Sequence, residues 1–244
     1  MNYFNNNTNN EILARGGALD ISHVLRQVYL WMTLGLLATA GTAVIVAQSG
    51  LPLMLASNPI LWLVALFAEF GLVIFISARI MQLSPTTAAA LFLAYAVLNG
   101  ITLSFIFLAY NLGTITYAAI AAGAMFAATS MIAYATNIDL SRFGGLLLMA
   151  LVGLVVASVV NMFFASSALD QLISYVGVIL FVALTAYDTQ RIKKLALNIS
   201  VNASGSEAGL LQRVSVIGAL TLYLDLINLF LFLLRIMGGR GGRR

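Results

Sequence analysis

The sequence predicts an all-α membrane protein, a seven-transmembrane helix bundle, on three observations. Of the 244 residues, 61% are hydrophobic and 8% charged, with a mean hydropathy of +1.01, far from the mix of a soluble domain. Seven apolar stretches reach the ~20 residues that a helix needs to cross a ~30 Å hydrocarbon layer. None alternates as a transmembrane strand does, in segments of ~10 residues with apolar and polar positions in turn. From Val28 to Gln190 the only charged residues are Glu69, Arg79, Asp139, Arg142, Asp170 and Asp188, too few to solvate a globular surface.

The chain opens with residues 1–27, "MNYFNNNTNNEILARGGALDISH" and the four that follow. Their asparagine run and lack of a basic-then-apolar order predict a polar, largely disordered leader, not a cleavable signal. The membrane domain, 28–237, then takes seven spans in order: Val28 to Ala47, Ile60 to Ile80, Thr86 to Tyr110, Ile115 to Ala135, Gly144 to Ala165, Leu172 to Gln190, and Val214 to Met237. The three prolines, Pro52, Pro59 and Pro85, fall between spans, so the spans themselves are expected to be unbroken. The fourth span, with "AAIAAGAMFAATS", offers small residues on nearly every face, the composition that lets helix backbones approach closely. A short basic Gly/Arg tail, 238–244, closes the chain. No repeat and no linker divides the domain.

Cytoplasmic loops collect Lys and Arg. With the N-terminus cytoplasmic, the inner segments hold Arg15, Arg26, Arg79, Arg142, Arg191, Lys193, Lys194 and Arg213, and the three outer links hold none. The tail conflicts with this pattern, because seven crossings put Arg235, Arg240, Arg243 and Arg244 outside. Either the last helix is re-entrant, or it spans and the tail is translocated. The length of Val214 to Met237 favours spanning. The net charge of +4 bears on topology and headgroup contact, not on nucleic acid. The chain has no cysteine, which excludes disulfides, thiol nucleophiles and thiolate metal sites.

An ionised residue at bilayer depth costs ~2.5–3.5 kcal/mol on insertion scales, so each should face the bundle interior and have a partner. Glu69, Arg79, Asp188 and Asp225 are the candidates. If the basic residues after Asp188 snorkel to the interface, Asp188 and Asp225 lie roughly 10–12 Å deep on the cytoplasmic side and can meet. Two facing carboxylates in a low-dielectric site cannot comfortably both ionise, so they are expected to share a proton. That makes a pH-sensitive latch, and Arg79 would oppose proton uptake by whichever acid it touched. A plain Arg–Asp lock between helices, with Asp225 hydrogen-bonded to Tyr or Asn, fits the same residues. Glu69, ten residues before Arg79 and too far for a direct pair, is a candidate lining for a cation path, or else a protonated core residue.

At these residues the chain resembles a known family. "FVALTAYDTQRIKK" and "IGALTLYLDLINLFLFLLRIMG" are similar to the two C-terminal helices of the transmembrane Bax-inhibitor-motif family, bacterial branch, and "VLNGITLSFIFLAYN" to its third span. The similarity covers about Val24 to Met237. It implies a multi-pass protein of the bacterial inner membrane, with a central last helix wrapped by the other six. It also implies a di-aspartate dyad, here Asp188 and Asp225, that gates a calcium leak, with Arg79 as its latch and the dyad as a Ca²⁺ contact. The match at Glu69 is looser. The long basic tail of animal members is missing, so regulation through the tail is not carried over. A Gly/Arg tail also occurs in RNA-binding segments, but seven residues are too few, and anionic headgroups are the contact expected.

Other functions fit less well. Intramembrane aspartyl proteases also place Tyr-Asp in one span, as at Tyr187-Asp188, but their second acid lies in Gly-x-Gly-Asp. Here Leu222-Tyr223-Leu224 precedes Asp225, and no proline follows Pro85 to build their Pro-Ala-Leu element. A rhomboid mechanism needs an embedded histidine, whereas His23 lies before the first span. No nucleotide fingerprint and no metal-catalytic spacing appears. The expectation is therefore a pH-sensitive Ca²⁺ or cation leak channel, not an enzyme, with no cofactor beyond Ca²⁺ as permeant ion. The alternative is a non-conducting regulator that binds a membrane protease or another stress protein.

Overall fold

The computed structural model describes residues 4–136, 138–202 and 207–239, with side chains over 22–199 except 56, 59 and 137, and over 209–239. The described residues form helices α1 (Phe4–Ala47), α2 (Leu51–Ser57), α3 (Pro59–Arg79), α4 (Pro85–Leu103), α5 (Ile106–Ala109), α6 (Leu112–Ala135), α7 (Gly144–Phe164), α8 (Ser167–Asn202) and α9 (Glu207–Gly239), with a 3-10 turn at Leu140–Phe143 and no strand. Seven segments are long and apolar enough to cross a membrane, from Ser22–Ala47 to Gly209–Gly239, with α4 and α5 together forming the third.

Local chemistry sets the helix starts. Asn58 accepts from the backbone N–H groups of Ile60 and Leu61, Ser84 from Thr87, and Asn111 from Thr114. The three prolines occupy the first turns of α2, α3 and α4, where a missing N–H costs nothing. The third span is not unbroken as expected. At Ser104 the hydroxyl bonds the Ile101 carbonyl at 2.5 Å, and the backbone N–H is shared between the carbonyls of Gly100 and Ile101. This serine competes for the helical ladder and tightens it, so α4 stops and α5 restarts two residues on.

The first boundary also shifts. The described helix α1 runs through the leader stretch, 4–27, without a break into the first span, and Val24, Leu25 and Val28 are buried in the core, so core packing reaches back before Val28. Residues 1–3 and the side chains before Ser22 lie outside the described residues, as does most of the tail, 240–244.

α9 is the central helix. Half of its apolar window is buried, against 6% for α7, and it packs on α8, α1, α6 and α4. The ring around it is incomplete: α3 packs chiefly on α4 and α7 on α8, outside the inner layer. Both are apolar on nearly every face, with Phe67, Ile74, Met162 and Phe163 strongly exposed, so lipid supplies the solvent that the core does not. α9 also spans fully. Near its start Arg213 donates to the Met81 carbonyl in the link before α4, and near its end Arg235 pairs with Asp170 at the start of α8 while Gly238 lies against Tyr110. Met81 and Tyr110 are at opposite ends of the third span, so the last helix is not re-entrant.

Candidate functional site

α8 and α9 form the most extensive helix pair in the bundle, and Asp188 and Asp225 are buried in it, at 7% and 4% exposure. Asp225 Oδ2 is fully enclosed and has no hydrogen-bond partner among the described residues. The ion pair available to Asp188 is loose: Arg191 Nη1 lies 4.0 Å from Oδ1, on a side chain 69% exposed. A mobile, hydrated partner of this kind contributes little.

The other cations near this turn serve the inner loop between α6 and α7. Lys193 donates to the Tyr134 carbonyl at 2.9 Å, and Lys194 to Asp139 and to the Ser141 hydroxyl. Gln190 donates to the carbonyls of Ala133 and Ile138 and accepts from the Leu140 N–H. The hydrogen bond from Lys194, with those from Ser141, holds the Asp139 carboxyl well below the usual carboxylate range.

Arg79 does not meet the two acids in this conformation. It is exposed at the end of α3 and donates to Gln82 Oε1 at 2.8 Å. Glu69, one helix over from the core, is buried: Thr102 Oγ1 donates to its Oε1 at 2.5 Å and Asn99 Nδ2 to its Oε2 at 3.2 Å. The same Asn99 accepts from the Tyr223 hydroxyl at 3.0 Å, which lies 2.7 Å from the Thr39 hydroxyl. Glu69 is thus wired through α4 to α9, at a residue two positions from Asp225. Two positions rotate a helix by ~200°, so Tyr223 and Asp225 occupy opposite faces of the central helix. Sequence reasoning missed Thr39, Asn99, Thr102 and Tyr223 as site residues. The signal was the polar run "NGITLS" inside an apolar span, whose partners lie more than a hundred residues away for Tyr223.

Among the described residues no three of His, Cys, Asp or Glu come together. Ca²⁺ takes six to eight oxygen ligands, more than two carboxylates supply by themselves.

A family model described as inhibitor of apoptosis-promoting Bax1 matches residues 21–242. The inner membrane protein YbhL of Escherichia coli strain K12 is 45% identical over 217 residues, 88% of this chain and 91% of that protein. A Deinococcus radiodurans protein is 44% identical over 218 residues, covering 88% and 90%, and one from Borreliella burgdorferi 40% over 217 residues, covering 88% and 91%.

Proposed function

Because this chain belongs to the Bax1-inhibitor family and is a multi-pass inner-membrane protein, we propose that it is a pH-sensitive cation leak, with Ca²⁺ as permeant ion and Asp188 and Asp225 as the gate. The observation that carries this reading is Asp225 Oδ2, an enclosed carboxylate oxygen with no donor among the described residues, on the helix that packs most extensively against the one carrying buried Asp188. A proton shared between the two carboxylates satisfies that oxygen and lets α8 and α9 close. Loss of the proton leaves two negative charges in a low-dielectric seam, where repulsion favours separation or entry of a cation. Protonation and helix packing are thereby linked.

Arg79 enters as the latch of another conformation, in which the guanidinium leaves Gln82 and reaches the acids as α3 moves. Glu69 lines the cation path nearer the outer face. The Glu69–Asn99–Tyr223 chain transmits displacement of α3 and α4 to α9. Purified protein in liposomes loaded with a Ca²⁺ indicator tests the reading. A leak above that of empty liposomes, raised further by Arg79→Ala, supports it. No leak from folded protein at any pH between 6 and 8 overturns it and moves the function to the non-conducting regulator.

A further inference from the structure

α1 and α6 both pack on α9 but scarcely touch one another, and the slot between them is a cavity of about 580 Å³ whose floor is Leu226 of the central helix. That volume falls within the ~300–1,000 Å³ of small-molecule sites. Its walls are apolar, with Leu25, Met32, Phe126 and Met131 among them. Three of the hydroxyls along its length are already used: Tyr29 donates to Ser130, Ser130 bonds Thr189, and Thr33 bonds the Tyr29 carbonyl, while Tyr134 stands at the mouth. An occupant therefore gains from apolar burial and not from hydrogen bonds along the slot.

The length of the slot and the charge at its mouth say what it takes. Ser22 and Tyr134 lie at one end, Thr33 and Gly123 at the other, 11 residues along each helix, which is ~16 Å at ~1.5 Å per residue. That is about half of a ~30 Å hydrocarbon layer, the depth of one leaflet. The mouth lies on the basic side of the bundle. Lys193 Nζ sits 4.7 Å above the Tyr134 ring and uses one of its three donors on the Tyr134 carbonyl. Exposed Arg26 lies on α1 one turn from both Ser22 and Tyr29. Basic pockets between transmembrane helices on the cytoplasmic side suit anionic headgroups.

We infer that this slot is a lipid site: it holds one acyl chain of an anionic phospholipid of the inner leaflet, with the phosphate at Lys193 and Arg26. The site stands whether or not the two aspartates gate a leak.

Native mass spectrometry of the full chain, released from mild detergent after exposure to phosphatidylglycerol, phosphatidylcholine or palmitate, tests the assignment. One phosphatidylglycerol retained at least fivefold over phosphatidylcholine is expected. Gly123→Leu fills the slot, and a Cβ at Gly123 meets nothing within 4 Å, so the variant should fold and lose retention at least fivefold. Ala127→Leu, on the same wall, gives an independent second variant. Lys193→Gln should keep a lipid but lose the headgroup preference. Undiminished retention in both slot-filling variants, no preference in the wild type, or palmitate held as well as phosphatidylglycerol would overturn the site as described.

Discussion

Replacing Tyr223 by Phe should loosen the central helix without creating a cavity. The ring is fully buried and stands edge-on to Phe92 and Tyr95, with centroids 5.6 and 5.8 Å away, contacts that phenylalanine keeps. Only the hydroxyl is lost, and with it the donor to Asn99 Oδ1 and the partner of Thr39. A net hydrogen bond contributes ~0.5–1.5 kcal/mol in a soluble protein, and a buried acceptor left unpaired costs ~1–3 kcal/mol. In bilayers, side-chain bonds average ~0.6 kcal/mol with a maximum near 1.7, because unfolded helices in lipid find other partners. Thr39 retains the carbonyls of Gly35 and Ala96, whereas Asn99 Oδ1 has no described replacement, so the unpaired acceptor dominates. The loss should be about 1–2 kcal/mol, well below the ~3–5 kcal/mol expected of truncating a buried aromatic ring to alanine. Equilibrium unfolding in mixed micelles should show it, and a double-mutant cycle with Thr39→Val should give a non-zero coupling. A Tyr223→Phe protein as stable as wild type, with an additive cycle, would refute the network as a link that ties α9 to α1 and α4.

Two other outcomes follow from the same geometry. Gly100→Ala places a Cβ 2.6 Å from the Thr39 carbonyl and 2.8 Å from Thr42 Cβ, which forces α1 and α4 apart. Micelle unfolding should show ~1–3 kcal/mol lost to overpacking, with Gly153→Ala, where nothing lies within 4 Å, as the near-neutral control. Asp139 has its carboxyl depressed by Lys194, so its contribution to the inner loop is present above the unfolded carboxylate pKa of ~3.9 and is lost only as pH falls below that. Amide exchange at residues 138–141 should therefore lack a protonation step between pH 8 and 5 in the wild type, and should be faster in Asp139→Asn across that whole range.

Much of the fold was legible because a membrane makes length and apolarity decisive. The seven spans, the basic side and the prolines outside span interiors all followed from that constraint. The boundaries were less legible where helices outrun the hydrocarbon. α8 continues past Gln190 through Arg191, Lys193 and Lys194 to Asn202, since charged residues end an apolar run but not a helix. The break at Ser104 escaped notice because it depends on where one hydroxyl points, not on a proline or glycine. At the site, the burial of Asp188 and Asp225 was legible from two acids in apolar runs on consecutive spans. The position of Arg79 against Gln82, and the wiring of Glu69 to Tyr223, were not, because neither follows from spacing within one helix.

The link between proton uptake and the α8–α9 seam is tested most directly by Ca²⁺ flux in proteoliposomes from pH 6 to 8, with wild type beside Asp188→Asn and Asp225→Asn. A pH-dependent leak in the wild type, flattened or abolished in each variant, is the result predicted. PH profiles that stay the same in all three proteins would contradict it.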